Sequence, residues 1–263
     1  MSTASSGEFA GQVAWVVGAS GDIGKAICKA LCQQGAHVVA SSRSAGPSLE
    51  AEFAAAGCSH VSTVPVDVTR RESVDTGCQR IINQHGRIDM LVNTTSVSIF
   101  GPFEELSDEQ WLTVYQSKVL AYVRTIRAVA PHMVKQGGGR IVNMSGRGGH
   151  QPTLPVHLAG MTASAAVNLM TKGLANMYGA QGIRINAIAP GPVESARYRT
   201  AVQSQQQAKG AGAVSGGFNT PPVSGKLIQP EEVADVTLFL LSSRSSSMTG
   251  TLLQADGGST ASL

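Results

Sequence analysis

Seven short runs of β-branched and apolar residues punctuate the chain: VAWVV (13–17), HVVAS (37–41), STVPV (62–66), IDMLVN (88–93), RIVNM (140–144), RINAIA (184–189) and TLLQA (251–255). Each has the length and composition of a strand. Longer stretches separate them, with apolar residues returning every three or four positions, as in Ile23, Ile27, Ala30 and Leu31 or in Val233, Val236 and Leu240. That spacing lays one apolar stripe along a helix. The regular alternation predicts a doubly wound, seven-stranded parallel sheet with six crossovers in a three-layer α/β/α arrangement. One segment departs from the rhythm. From Ala196 to Gly225, Gln, Gly, Ser and Ala dominate (AVQSQQQAKGAGAVSGG at 201–217), leaving little apolar surface to offset the entropy of ordering. It reads as a mobile loop or partly helical lid at the carboxyl edge of the sheet, where open α/β folds bind ligands. A tolerated surface insertion is the alternative.

At 263 residues and 42% hydrophobic content, with no break in composition, the chain is long enough for a single α/β domain across 1–263. The formal charge of +3 is thinly spread, in pairs such as Arg70, Arg71 and Arg197, Arg199, which argues against a nucleic-acid surface. No apolar stretch reaches the roughly 18–20 residues a membrane helix needs. The first ten residues (MSTASSGEFA) lack the basic and apolar parts of a signal peptide, so a cytoplasmic protein is expected. Cys28, Cys32, Cys58 and Cys78 show neither zinc spacing nor the density of a disulfide scaffold, and Cys28 and Cys32, four apart, share one helical face suited to core packing. His60, His85 and His132 fall at turns or helix ends without companion ligands, so no metal is expected.

The first strand runs into VGASGDIG (17–24) and then a helix. Strand, glycine turn and helix in that order suit a dinucleotide: glycine lets backbone approach a diphosphate, and a helix amino-terminus offers it free amides. Gly18, Gly21 and Gly24 would supply this. At the end of the second strand Arg43 could pair with a 2′-phosphate, which favours NADP over NAD, or it is simply a solvated strand-end arginine.

From about Phe9 to Gly258 the chain resembles the short-chain dehydrogenase/reductase family, whose Rossmann-type fold matches the predicted alternation. The family loop reads TGxxxGxG; here Val17 replaces the threonine and Asp22 the middle glycine. By the same resemblance Asp67 and Val68 match an adenine-side DV pair, and Asn93 matches the first residue of the NNAG turn, which continues here as Thr94, Thr95 and Ser96. PGPVES (190–195) is similar to the segment that holds the nicotinamide carboxamide, through Val193 and Ser195, and ADGG (255–258) to the closing strand. With a carboxylate at Asp22 and an altered turn, weak or absent NAD(P) binding is expected of this chain.

The resemblance also fixes the catalytic positions. The family uses a tyrosine as proton carrier, a lysine four residues on, a serine that binds the oxygen and an asparagine in a relay. Aligning GRIVNMSGRGG (139–149) and ASAAVNLMTKGLA (163–175) puts the serine on Gly146, the tyrosine on Gly160, the lysine on Ser164 and, in the long helix before them, the asparagine on Lys118. A one-residue slip would return a hydroxyl through Ser145. No slip returns a tyrosine, since the chain has only Tyr115, Tyr122, Tyr178 and Tyr198. His157, three residues before Gly160, and Lys118 could replace the lost pair, or be a helix-entry residue and a cavity cation.

Three functions follow. The first is a non-catalytic subunit, a pseudoenzyme assembled as a hetero-oligomer, expected to be a tetramer, with a catalytically competent relative that keeps its YxxxK. Helices spanning 108–136 and 162–178, the second bearing Met161, Met170 and Met177, would be the interface. The second is an active oxidoreductase on a small carbonyl or hydroxy compound through His157 and Lys118. The third is a nucleotide-sensing regulator.

Overall fold

The computed structural model describes residues 7–152, 155–207 and 222–260. Seven strands form one sheet: β1 (Val13–Val17), β2 (His37–Ser41), β3 (Val61–Thr63), β4 (Met90–Asn93), β5 (Gly139–Met144), β6 (Ile183–Pro190) and β7 (Leu252–Ala255). Their order is β3-β2-β1-β4-β5-β6-β7, every pair parallel, so the sequence order reverses direction between β1 and β4. Open parallel sheets bind ligands at such a switch point, outside the carboxyl ends of the strands.

Eight α-helices accompany the sheet among the described residues: α1 (Asp22–Gln33), α2 (Pro47–Ala55), α3 (Arg71–His85), α4 (Asp108–Ser117), α5 (Val119–Lys135), α6 (Leu158–Tyr178), α7 (Ala196–Gln207) and α8 (Pro230–Leu241). β1 is buried at all five positions, because both of its faces are covered. On one face Ala14 and Val16 pack with Ile27 and Leu31 of α1, Phe53 of α2 and Leu240 of α8. On the other, Val13, Trp15 and Val17 meet Cys78 and Ile81 of α3, Ile126 of α5 and Val167 of α6. The indole of Trp15, fully buried, donates to Ser41 Oγ at 2.9 Å, which removes the cost of an unsatisfied donor in the core. All four cysteines are free and buried.

The expected elements differ from the observed ones in three places. The third strand is short, Val61–Thr63, and Val64 and Val66 pack beyond its end; Pro65 cannot donate to a ladder. The long helix expected over 108–136 is two, broken at Lys118 (φ −118°, ψ −67°). One residue earlier Ser117 Oγ donates back to Val114 O at 3.0 Å, a contact of the kind that bends helices. The segment expected as a lid begins as a helix, α7; residues 208–221 lie outside the described ones. No helix among the described residues is long and apolar enough to cross a membrane.

Candidate active site

A buried polar ladder joins the sheet to the helices behind the site. Thr125 Oγ1 of α5 donates to Asn93 Oδ1 (2.8 Å), Asn93 Nδ2 to Asn143 Oδ1 (2.9 Å), and Asn143 Nδ2 to Thr171 Oγ1 of α6 (3.0 Å). All four residues are at most 1% exposed. Such a satisfied buried network fixes the relative depth of α5, β4, β5 and α6. Asn93, expected to touch the cofactor, is thus one rung of the scaffold, and its neighbour Thr94 donates to Val17 O at 2.9 Å.

The glycine turn is built as the sequence suggests. Gly18 has φ +95°, and a Cβ there would lie 2.3 Å from Thr94 Oγ1, so only glycine fits. At Gly24 a Cβ would lie 2.3 Å from Gly18 O, which lets α1 seat directly on the turn. Gly21 caps α1 with extended backbone. Asp22 stands at the first turn of that helix, and its carboxylate accepts from the backbone amide of Ala196 at 3.0 Å. The charge expected beside the diphosphate is therefore engaged with the start of α7. At the adenine end Arg43 is exposed, while Asp67 accepts from the amide and hydroxyl of Thr69 at 3.0 and 2.7 Å. Those bonds, with Arg43 nearby, hold its carboxyl below the usual range.

Beyond the carboxyl ends of β1, β4, β5 and β6 opens a cavity of about 170 Å³. Ile23, the 94–96 turn, residues 190–193 and Ser195 line it, together with Lys118, Gly146, His157, Gly160, Ser164 and Arg197. The hydroxyls of Thr95 and Ser96 are buried without a hydrogen-bond partner, and so is Ser42 Oγ beside Arg43. Orphaned groups in such a site are a docking surface for a polar ligand, and with the tight glycine turn they fit a nicotinamide dinucleotide. Val193 is bridged to Ile228, and Ser195 Oγ accepts from Tyr198 N at 3.1 Å, capping α7.

The residues expected as catalytic substitutes converge. A Cβ on Gly160 would lie 2.1 Å from His157 Nε2: the imidazole occupies the space into which a side chain at 160 would project. Lys118 Nζ, carried inward by the break between α4 and α5, donates to Ser164 Oγ (2.9 Å) and Ser145 O (2.8 Å). Ser164 in turn donates to Gly160 O at 2.9 Å. Lys118 is 3% exposed, and burial, with the Arg197 charge, brings its pKa down to about 7. Burial, then the charges of Arg197 and Lys118, bring His157 down to about 3, so its ring is neutral at pH 7.

Other groups are otherwise engaged. Ser145 Oγ donates to Asn168 Oδ1 on α6, and Asn168 Nδ2 to Gly149 O. Gly146 faces the site with no side chain; a Cβ there would stand 3.4 Å from Ser164 Oγ. Tyr122 donates to Met144 O at 3.0 Å, and burial raises its pKa, so it is a fixed donor rather than an acid. Arg197 was noted in the sequence only as a scattered charge. Its guanidinium reaches into the cavity, with Nη2 3.3 Å from His157 Nε2. His37 and His60, and His37 and His85, pack ring on ring at 5.4 and 5.9 Å, but among the described residues no group of three His, Cys, Asp or Glu is set to hold a metal.

The family model described as enoyl-(acyl carrier protein) reductase matches residues 18–260. An uncharacterized oxidoreductase of Schizosaccharomyces pombe is 34% identical over 94% of this chain and 90% of its own. Gluconate 5-dehydrogenase of Gluconobacter oxydans is 33% identical, covering 97% of each chain. The crystal structure of gox2181 superposes with a TM-score of 0.85 at 29% identity, over 95% of each chain.

Proposed function

The chain belongs to the short-chain dehydrogenase/reductase family, and on that premise we propose that it is an active NAD(P)-dependent oxidoreductase. Its substrate is a small hydroxy or carbonyl compound, and His157 and Lys118 stand in for the family's tyrosine and lysine. The observation that carries this reading is the double replacement in space: the His157 ring fills the room at Gly160, and Lys118 Nζ rests on Ser164 Oγ. A chain that had only lost its chemistry has no reason to refill both positions with groups that move protons.

When bound, the nicotinamide supplies hydride acceptance or donation. Gly18, Gly21 and Gly24 would hold the diphosphate, Val193 and Ser195 the carboxamide end, and Arg43, with Asp67 beside it, favours NADP. The imidazole of His157 is neutral at pH 7 and can accept a hydrogen bond from an alcohol, but burial and the charges of Arg197 and Lys118 hold it at a pKa of about 3, so its strength as a base depends on an anion offsetting those charges. Lys118 sits behind it with a pKa near neutrality, which suits a group that passes that proton on. Gly146 offers no hydroxyl, so a developing oxyanion depends on the surrounding cations instead.

A second reading, a non-catalytic subunit supporting a YxxxK-bearing relative, is favoured by one observation. Leu112 and Leu120 on α4 and α5, and Leu169 and Met177 on α6, are exposed, and apolar side chains on neighbouring helices suit an assembly surface. A second copy of the chain would cover them as well as a relative. The two readings separate on the purified chain alone, assayed by NADH and NADPH absorbance. Turnover is expected without a partner, and His157→Ala and Lys118→Ala should each lower kcat by about 10² or more with circular dichroism unchanged. Turnover that survives both changes removes these residues from the mechanism. Turnover that appears only on co-expression with a YxxxK-bearing relative replaces this proposal with the second reading.

A further inference from the structure

The cavity is electrically one-sided. Lys118, Arg147, His157 and Arg197 line it, and none of its described lining residues is an Asp or Glu. Arg147 has compensation: it donates to Ser259 O at 3.3 Å, and the charge of Asp256 acts on it. Arg197 has no such partner. Its described side-chain hydrogen-bond contact is His157 Nε2, and the groups that act on its charge are burial and Tyr122, with no carboxylate among them. A guanidinium half-buried in a cavity beside another cation is destabilised unless something of opposite charge joins it. Arginine in that setting presents a planar fork matched to a carboxylate.

We infer that Arg197 is the anchor for a negatively charged substrate, a hydroxy or oxo acid whose carboxylate lies one or two carbons from the reacting carbon. The inference rests on the oxidoreductase reading above and names its substrate class. The spacing comes from geometry. Arg197 Nη2 stands 3.3 Å from His157 Nε2, so a carboxylate bonded to the guanidinium and an oxygen bonded to the imidazole can lie side by side. A 2-oxo or 3-oxo acid brings its two oxygens that close without folding back on itself. Arg197 stands at the start of α7, so the acid would also tie that helix over the cavity.

The test is binding of oxalate, oxamate and acetate, against uncharged acetamide, to the intact protein with NADPH present, by titration calorimetry. The carboxylates are expected to bind and acetamide not. Arg197→Gln should weaken oxalate at least tenfold, Arg197→Lys should recover part of that, and NADPH affinity should stay within about twofold in both. Equal oxalate affinity in wild type and Arg197→Gln overturns the proposal, as does absence of carboxylate binding. If Arg197→Gln weakens NADPH as much as oxalate, Arg197 serves the cofactor phosphates and the substrate assignment falls. Arg197-dependent carboxylate binding in a protein that oxidises or reduces no hydroxy or carbonyl compound, charged or neutral, sinks the oxidoreductase reading and leaves the anion site standing, whereas turnover confined to uncharged compounds overturns the substrate assignment.

Discussion

At Lys118 a primary amine is buried at 3% exposure, with Ser145 O and Ser164 Oγ as acceptors and no carboxylate bonded to it. The ammonium form is therefore disfavoured in the folded chain, and the pKa falls from 10.5 to about 7. Below pH 7 both folded and unfolded chains carry the proton, and the folded state bears the full desolvation cost. Between pH 7 and 10.5 the unfolded chain alone holds it, so stability rises with pH across that window. Chemical denaturation of wild type should show the rise and Lys118→Met should not. The facing groups are His157, whose own folded pKa of about 3 adds a separate rise below pH 6.5, and Arg197, charged throughout. The buried thiols Cys28, Cys58 and Cys78, raised by burial, lower stability above about pH 9 in both proteins, so the reading is the difference between wild type and Lys118→Met; a difference that is flat from pH 7 to 10 would mean that Lys118 keeps its charge over that range. The resemblance to the family pattern offered His157 and Lys118 as candidate substitutes. It could not show Arg197 as a cavity residue, because a lone arginine in a polar segment looks the same whether it is solvated or turned inward.

Helix α6 has room for the substitute at its first turn because position 160 lacks a Cβ. Gly160→Tyr, the change that would restore the family residue, puts side-chain atoms onto the His157 ring, since even the Cβ would lie 2.1 Å from Nε2. Overpacking of this kind costs about 1–3 kcal/mol. Thermal melts are expected to show that loss for Gly160→Tyr and its recovery in the double variant with His157→Ala. If Gly160→Tyr melts like wild type, the ring swings away freely and its placement is not fixed by the helix start. At this scale sequence reading did well where periodicity is strong, placing all seven strands and the helices of the sheet's two faces. It missed the break at Lys118, since no proline or glycine marks it. A serine bonding back to Val114 adjoins the break, and such a bond attends a bend in only some helices.

Across the molecule, the order β3-β2-β1-β4-β5-β6-β7 brings residues from both halves of the chain to one rim. The alternation of strands and helices made this arrangement legible, because parallel crossovers allow few topologies. The family pattern then placed the glycine turn. What the sequence could not disclose was contact across long separations. Asn93 is held within the Thr125–Asn143–Thr171 ladder, and no local signal in the sequence announces that bonding.

The bond from Ala196 N to the Asp22 carboxylate joins the turn where the diphosphate would lie to the helix that carries Arg197, across 174 residues of sequence. Two ligands that meet one mechanical element cannot bind independently: whatever factor a dinucleotide imposes on affinity for an acid, the acid imposes on the dinucleotide. The coupling between NADPH and oxalate, measured as the ratio of oxalate dissociation constants with and without NADPH, should therefore differ from one in wild type and move toward one in Asp22→Ala. An unchanged ratio would make that bond a local helix contact. If the ratio does move, a position that looks like a damaged phosphate loop is where the affinities of the two ligands are tied together.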